Sequence, residues 1–92
     1  MEDKIRVHVK ITGRVQGVCY RMETKRAAVE KGVKGWVRNR IDGSVEGVFE
    51  GDKEKVEEVL IWCHDGPLLA NVEKIEAVPQ DYKKEFKGFT IL

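Results

Sequence analysis

The residues best suited to chemistry in this sequence form the segment GRVQGVCYR, at positions 13 to 21. Gly13 and Gly17 bracket a short apolar loop, and Arg21 follows where a helix is expected to begin. Unpaired N–H groups at a helix N-terminus carry positive partial charge, and a loop that curls there can surround an oxyanion with backbone amides. The glycines supply the φ freedom for that curl, and the Arg21 guanidinium could add bidentate contacts. The segment indicates a local anion site, although a tight turn that binds only water fits the same local pattern.

Known nucleotide-binding loops do not match this segment. It lacks the Lys-Ser or Lys-Thr pair of the P-loop, and it is not the dinucleotide motif G-x-G-x-x-G. Cys19 lies two positions before Arg21. This spacing is too short for a nucleophilic thiolate at the centre of an anion-binding loop that an arginine closes at its far end. No activating base stands beside Cys19 in the sequence. We therefore interpret Cys19 as a bystander in the loop.

The overall charge excludes a general electrostatic role. Seventeen Lys and Arg against sixteen Asp and Glu give a net charge of +1, so we expect neither nucleic acid nor a membrane as a partner. No segment approaches the roughly 20 apolar residues of a membrane span, and no secretory signal is apparent at the start. We expect a cytoplasmic protein in which Cys19 and Cys63 stay reduced. Charged residues form 36% of the chain, above the usual ~25%, which favours a thermostable protein or simply a well-solvated helical surface.

Apolar periodicity predicts alternating strands and helices. KIRVHVKIT alternates between apolar and polar residues, as in a strand with one buried face. Asp42-Gly43 is a strong hairpin signal, and Asp52 is a candidate N-cap for a second helix. The predicted elements are a strand at 4–12, a helix at 21–31, two hairpin strands within 33–51, a helix from Asp52 to the Gly66-Pro67 stop, a strand at 72–78 and a short strand near 89–91.

This order, βαββαβ with a short fifth strand, predicts an α+β fold. Each strand has one apolar face, and two amphipathic helices are available to cover it. The compact solution is an antiparallel sheet with both helices on one face, the ferredoxin-like sandwich. We expect residues 1–92 to form a single domain.

Two spaced motifs carry a resemblance to a known family. G-R-V-Q-G-V-x-[FY]-R at 13–21 and G-W-V-R-N-R-x-D-G-S-V-E at 35–46 closely resemble the acylphosphatase family, and the likeness continues through Trp62 and Gly66-Pro67. It covers nearly the whole chain. The resemblance implies a ferredoxin-like hydrolase that cleaves the carboxyl-phosphate bond of small-molecule acyl phosphates without metal or cofactor.

The resemblance also implies roles for particular residues. The phosphate-binding arginine of the family falls on Arg21, and its water-positioning asparagine falls on Asn39. Its phosphate-binding amides correspond to the main chain of Val15, Gln16, Gly17, Val18, Cys19 and Tyr20, with Gly13 and Gly17 setting the loop geometry.

Hydrolysis of an acyl phosphate requires few catalytic groups from the protein. The carboxylate leaves without a strong acid, so the protein mainly positions groups and stabilises charge on the phosphoryl oxygens. Neither His8 nor His64 belongs to the matched motifs, and we assign neither a catalytic role. The resemblance implies that the attacking water passes its proton to the substrate's own phosphoryl group. We expect inorganic phosphate or sulfate to compete for the site, and we expect a monomer.

Two other function classes share features with this sequence. The same loop and arginine occur in an acylphosphatase-like domain of hydrogenase maturation proteins, so a module that only holds an acyl phosphate remains open. An RNA-binding ferredoxin-like module needs exposed aromatic residues on its central strands. The first strand offers Arg6, His8 and Lys10 instead, so this class ranks last.

Overall fold

The computed structural model describes residues 3–92 of the chain. Its elements occur in the predicted order, with boundaries that differ by a few residues. They are β1 (Lys4–Arg14), α1 (Tyr20–Glu30), β2 (Lys34–Asn39), β3 (Val45–Asp52), α2 (Lys53–Asp65), β4 (Asn71–Gln80) and β5 (Phe89–Ile91).

The five strands form one sheet in the order β4-β1-β3-β2-β5. β1 pairs antiparallel with β3 and β4, and β2 pairs antiparallel with β3. The prediction of an antiparallel sheet is wrong for β5, which runs parallel to β2. The reason is the connection at 81–88, which crosses from the β4 edge to the β2 edge at the end of the sheet where β4 finishes and β2 starts. β5 must therefore run in the direction of β2.

Both helices cover one face of this sheet. α1 packs on β2 and β5, α2 packs on β1, β3 and β4, and the helices contact each other. This arrangement confirms the predicted ferredoxin-like α+β sandwich. The core between helices and sheet is largely aliphatic, as alternation along β1 predicts. Its fully buried members include Val9, Ile11, Tyr20, Thr24, Ala28, Val37, Val45, Phe49, Val56, Val59 and Cys63.

Glu50 on β3 holds the connection at 81–88 against the sheet. Its carboxylate accepts hydrogen bonds from the backbone N–H groups of residues 83–85, at 3.0 to 3.1 Å. Arg6 lies 3.7 Å from the same carboxylate and stacks 5.0 Å from the Phe86 ring. These contacts hold the segment in place, and the segment delivers β5 to the edge of β2.

The start of α2 matches the prediction in position but not in its capping interaction. Asp52 is the N-cap residue, yet its side chain makes no capping hydrogen bond. Its carboxylate instead pairs with the Lys4 ammonium group, because Lys4 and Asp52 are partners in the register of β1 and β3. Within residues 3–92, neither helix has the length and apolar character needed to cross a bilayer.

Candidate active site

The two sequence motifs meet at one end of the sheet. The end of β1, the start of α1 and the ends of β2 and β5 surround a pocket of ≈ 200 Å³. Arg21 and Asn39 both line it, one from each motif. The remaining lining residues are Val15, Gly17, Cys19, Tyr20, Met22 and Ile91.

The loop between β1 and α1 presents unpaired amides. The first helical hydrogen bond of α1 runs from the Glu23 N–H to the Cys19 carbonyl, at 3.1 Å. Within residues 3–92, the backbone N–H groups of residues 16–22 have no protein acceptor, and no side chain caps the helix. Such a run of amides at a helix N-terminus favours an anion.

Two residues of this loop have left-handed backbone conformations. Gly17 has φ 74° and Cys19 has φ 66°. Glycine adopts this region without cost, whereas a side chain there carries strain of about 1 to 3 kcal/mol. These two turns curl the chain into the start of α1, while the exposed Cys19 lies at the edge of the pocket.

Gly13 lies within β1, not in the loop to which we assigned it. It has φ 123°, and the register of β1 with β4 shifts between Thr12 and Gly13. A Cβ on Gly13 would lie 2.2 Å from the Asn71 carbonyl oxygen. The glycine at this position is therefore required by the close approach of β4.

Gln16 joins the loop to the β2–β3 hairpin. Its Nε2 donates to the carbonyl oxygens of Arg40, at 2.8 Å, and Ser44, at 2.9 Å. Sequence reasoning assigned only the backbone of Gln16 to the site and missed this side-chain contact. The available signal was an amide side chain in an otherwise apolar loop, but its partners are far away in sequence.

The hairpin that follows Asn39 is itself well braced. Asp42 Oδ1 accepts hydrogen bonds from the Ser44 backbone N–H, at 3.0 Å, and hydroxyl, at 2.6 Å. Lys10 Nζ lies 3.2 Å from Asp42 Oδ2. The Ser44 hydrogen bonds and then Lys10 hold the pKa of Asp42 well below its usual range. The turn therefore keeps an ionised aspartate and a defined geometry just beyond the end of β2.

Tyr20 anchors the start of α1 to the end of α2. Its hydroxyl donates to the Cys63 carbonyl at 2.6 Å, and its ring lies 5.7 Å from that of Trp62. Gly66 allows this packing, because a Cβ there would lie 2.7 Å from the Tyr20 ring. Burial raises the pKa of Tyr20 far above its usual value, so the hydroxyl remains a donor. Burial also raises the pKa of the Cys63 thiol to about 12, which makes it unreactive.

The charge in the pocket comes from Arg21 and the loop amides. Arg21 lines the pocket, and within residues 3–92 its guanidinium has no carboxylate partner, so its charge is not neutralised. Neither histidine lines the pocket: His8 contacts Glu46 on the sheet face away from the helices, and His64 is exposed in the last turn of α2. Among residues 3–92, no group of three or more His, Cys, Asp or Glu side chains is suited to hold a metal ion. The pocket can bind an oxyanion and place a carboxamide beside it.

Comparisons with known proteins give consistent matches over nearly the whole chain. A family model described as acylphosphatase matches residues 7–91. An acylphosphatase from Pelotomaculum thermopropionicum is 52% identical over 88 residues, which cover 96% of each chain. The structure of an acylphosphatase from Coxiella burnetii superposes with a TM-score of 0.92 at 28% identity, covering 98% of this chain and 94% of the other. HypF from T. kodakarensis gives a TM-score of 0.83 at 28% identity, covering 96% of this chain but 12% of HypF.

Proposed function

The chain belongs to the acylphosphatase family, and we propose that it hydrolyses small-molecule acyl phosphates to a carboxylate and inorganic phosphate by metal-free attack of a positioned water. The observation that carries the proposal is the shared pocket of Arg21 and Asn39 beside the unpaired loop amides. A cation, a ring of donors and a carboxamide are the groups that such a reaction needs.

Arg21 and the loop bind the phosphoryl group. The amides of residues 15–20 donate to its oxygens, and the Arg21 guanidinium adds charge-assisted hydrogen bonds. Negative charge on these oxygens persists in the transition state, so the same donors stabilise both the bound substrate and the reacting species.

Asn39 positions the attacking water. Asn39 lines the pocket proposed to hold the phosphoryl group, where its carboxamide oxygen can accept a hydrogen bond from the water and orient a lone pair toward phosphorus. The water oxygen forms a bond to phosphorus as the bond to the carboxyl oxygen breaks. The electron pair leaves with the carboxylate, and the water proton passes to a phosphoryl oxygen, so no base from the protein is needed.

A module that only binds an acyl phosphate is the second candidate. The similarity to HypF favours it, since there the matching region is a small part of a longer protein. The hydrolase is favoured by the curated acylphosphatase of similar length, 96% of which is matched. Binding without turnover would support the module.

The deciding experiment is phosphate release from benzoyl phosphate, with phenyl phosphate as the stable phosphomonoester control. We expect steady-state release from benzoyl phosphate only, with activity unchanged after exhaustive treatment with EDTA. If a folded protein binds phosphate but releases none from benzoyl phosphate, the binding module is the correct function. If EDTA abolishes activity and a divalent metal restores it, the metal-free mechanism is wrong.

The site and the amino-acid composition also suggest the competing anions, the location, the stability and the oligomeric state of the protein. Inorganic phosphate and sulfate should inhibit competitively, because either fits the same amides. We propose a cytoplasmic, thermostable monomer composed of one acylphosphatase-like domain over residues 1–92, of which residues 1 and 2 lie outside the described part. Cys19 and Cys63 are free thiols, which supports the cytoplasmic location. The 36% of charged residues supports the thermal stability. Light scattering and thermal unfolding test the oligomeric state and the stability.

A further inference from the structure

Glu46 is the centre of a charged cluster on the sheet face that the helices leave uncovered. It lies on β3, opposite Arg38 of β2 in the strand register, and only 8% of it is exposed. Glu46 Oε1 accepts from Arg38 Nε at 2.7 Å and from Arg40 Nη1 at 3.2 Å. Glu46 Oε2 lies 2.6 Å from His8 Nε2. One nearly buried carboxylate therefore holds three cationic or hydrogen-bonding side chains.

The two arginines in this cluster flank Asn39. Successive side chains of a strand point to opposite faces, so Arg38 and Arg40 reach the uncovered face while the intervening Asn39 lines the pocket on the other side. Both arginines contact the same oxygen of Glu46. The carboxylate therefore fastens the chain immediately before and immediately after the residue assigned to the attacking water.

The charge on Glu46 is suited to this task. Burial acts to raise the pKa of Glu46, but the hydrogen bonds from His8 and Arg38 outweigh it and the pKa lies below its usual value. The group is ionised at neutral pH. Charge-assisted hydrogen bonds to an ionised carboxylate are about twice as strong as neutral ones, and a cluster of them restricts the strand end more than a single bond does.

The end of β2 is restrained from both faces of the sheet. β2 finishes at Asn39, and Arg40 continues into the turn, where its backbone N–H donates to the Ser44 carbonyl at 2.8 Å. Ile41 at the tip of the turn is fully exposed and provides no packing. Gln16 restrains this turn from the pocket side, and Glu46 restrains it from the opposite face.

We propose that Glu46 is a positioning residue for hydrolysis, which holds Arg38 and Arg40 so that the side chain of Asn39 stays directed at the attacking water. The inference rests on the proposed function. It predicts that the loss of the Glu46 charge lowers kcat and changes phosphate binding little, because Glu46 contacts neither Arg21 nor the loop amides.

The test is Glu46→Gln, which keeps the size and one acceptor but removes the charge. We expect kcat to fall by about tenfold, with KM and the inhibition constant of inorganic phosphate changed by less than about twofold. Glu50→Gln is the matched control, since Glu50 is a buried carboxylate on the same face of β3 but at the end far from the pocket. It should leave kcat within about twofold of wild type.

A double variant separates positioning from a general structural effect. If Glu46 acts through Asn39, then Glu46→Gln should cost nothing further in an Asn39→Ala background. An additive loss of kcat in the double variant, or an unchanged kcat in a folded Glu46→Gln protein, would overturn the inference. Both outcomes leave the proposed function intact, which is judged by wild-type turnover alone.

Two further measurements keep the inference testable in all cases. If Glu46→Gln does not fold, the variant Arg38→Gln/Arg40→Gln removes the two arginine contacts of Glu46 from half-exposed positions and should reproduce the loss of kcat. If the wild type has no turnover, NMR of the side-chain amides still tests the geometry, because the wild-type chain has only Asn39, Asn71, Gln16 and Gln80 to assign and each variant adds one glutamine. The Asn39 NH2 signals should shift or broaden in Glu46→Gln and stay unchanged in Glu50→Gln. Unchanged Asn39 signals in a folded Glu46→Gln protein contradict the inference.

Discussion

The side-chain nitrogen Nε2 of Gln16 donates to the carbonyl oxygen of Arg40 at 2.8 Å. This hydrogen bond links the loop proposed to bind the phosphoryl group to the residue next to Asn39. The Gln16 side chain therefore connects the two halves of the site, and in the proposed mechanism we expect it to help set the distance between the phosphoryl group and the attacking water.

Replacement of Gln16 tests that connection. Gln16→Ala removes two hydrogen bonds to backbone carbonyls, and we expect kcat to fall by about tenfold with a loss of roughly 1 to 2 kcal/mol of unfolding free energy. Gln80→Ala is the control, because Gln80 accepts a hydrogen bond from Arg6 at the opposite end of the sheet. Equal kinetic effects from both variants would show that only stability is involved.

Replacement of Arg21 should weaken ground-state and transition-state binding together. We expect Arg21→Ala to raise KM and the inhibition constant of phosphate and to lower kcat/KM by at least about 10³-fold, because an uncompensated phosphoryl charge remains. Arg26→Ala, on an exposed position of the same helix, should match wild type. Steady-state kinetics with phosphate inhibition measures both, and unchanged phosphate inhibition in Arg21→Ala would place the anion elsewhere.

Replacement of Asn39 should affect turnover alone. We expect Asn39→Ala to lower kcat by about 10²-fold while phosphate affinity stays nearly intact, the pattern of a group needed mainly in the transition state. Asn71→Ala, at the exposed start of β4, is the matched control. A wild-type kcat in a folded Asn39→Ala protein would contradict the water-positioning role of Asn39.

Cys19 should prove dispensable for chemistry. We expect Cys19→Ser to change kcat by less than about tenfold, or ~1.4 kcal/mol of barrier. Cys19→Gly should also raise thermal stability slightly, because glycine relieves the strain of φ 66° at this position. Mass spectrometry of the enzyme during turnover provides the check: a phosphocysteine adduct, or loss of activity in Cys19→Ser, would indicate covalent catalysis.

Glu50 should contribute to stability in a pH-dependent way. Burial acts to raise its pKa, but hydrogen bonds from the backbone of residues 83–85 and the charge of Arg6 outweigh it, so the pKa in the folded state lies below 4.5. A lowered folded-state pKa gives stability that is fully present above the unfolded value and is lost as pH falls through the folded value. At pH 7, Glu50→Gln should cost about 1 to 3 kcal/mol.

Denaturant unfolding at several pH values measures this contribution. The difference between wild type and Glu50→Gln should shrink as pH is lowered below 4.5. Glu73→Gln, at an exposed position on β4, should stay within about 0.5 kcal/mol of wild type at pH 7. A difference for Glu50→Gln that stays constant from pH 7 to the acid limit would contradict the assignment.

The sequence by itself determined the elements and the family. Alternation along 4–12, the Asp42-Gly43 turn and the Gly66-Pro67 stop are local signals, because each depends on backbone preferences or on periodicity within a few residues. The motifs at 13–21 and 35–46 likewise lie within single segments, so the family and the candidate residues Arg21 and Asn39 could be named before any tertiary contact was known.

Only the tertiary structure decided how distant segments meet. The parallel direction of β5, the fastening of residues 83–85 by Glu50, and the placement of Gly13 against Asn71 all depend on the path of the chain across the sheet. The side-chain contacts of Gln16 with the hairpin and of Glu46 with the arginines beside Asn39 also join residues from separate elements. Such contacts leave no periodic or compositional signal, because their energy depends on distances between atoms that folding alone brings together.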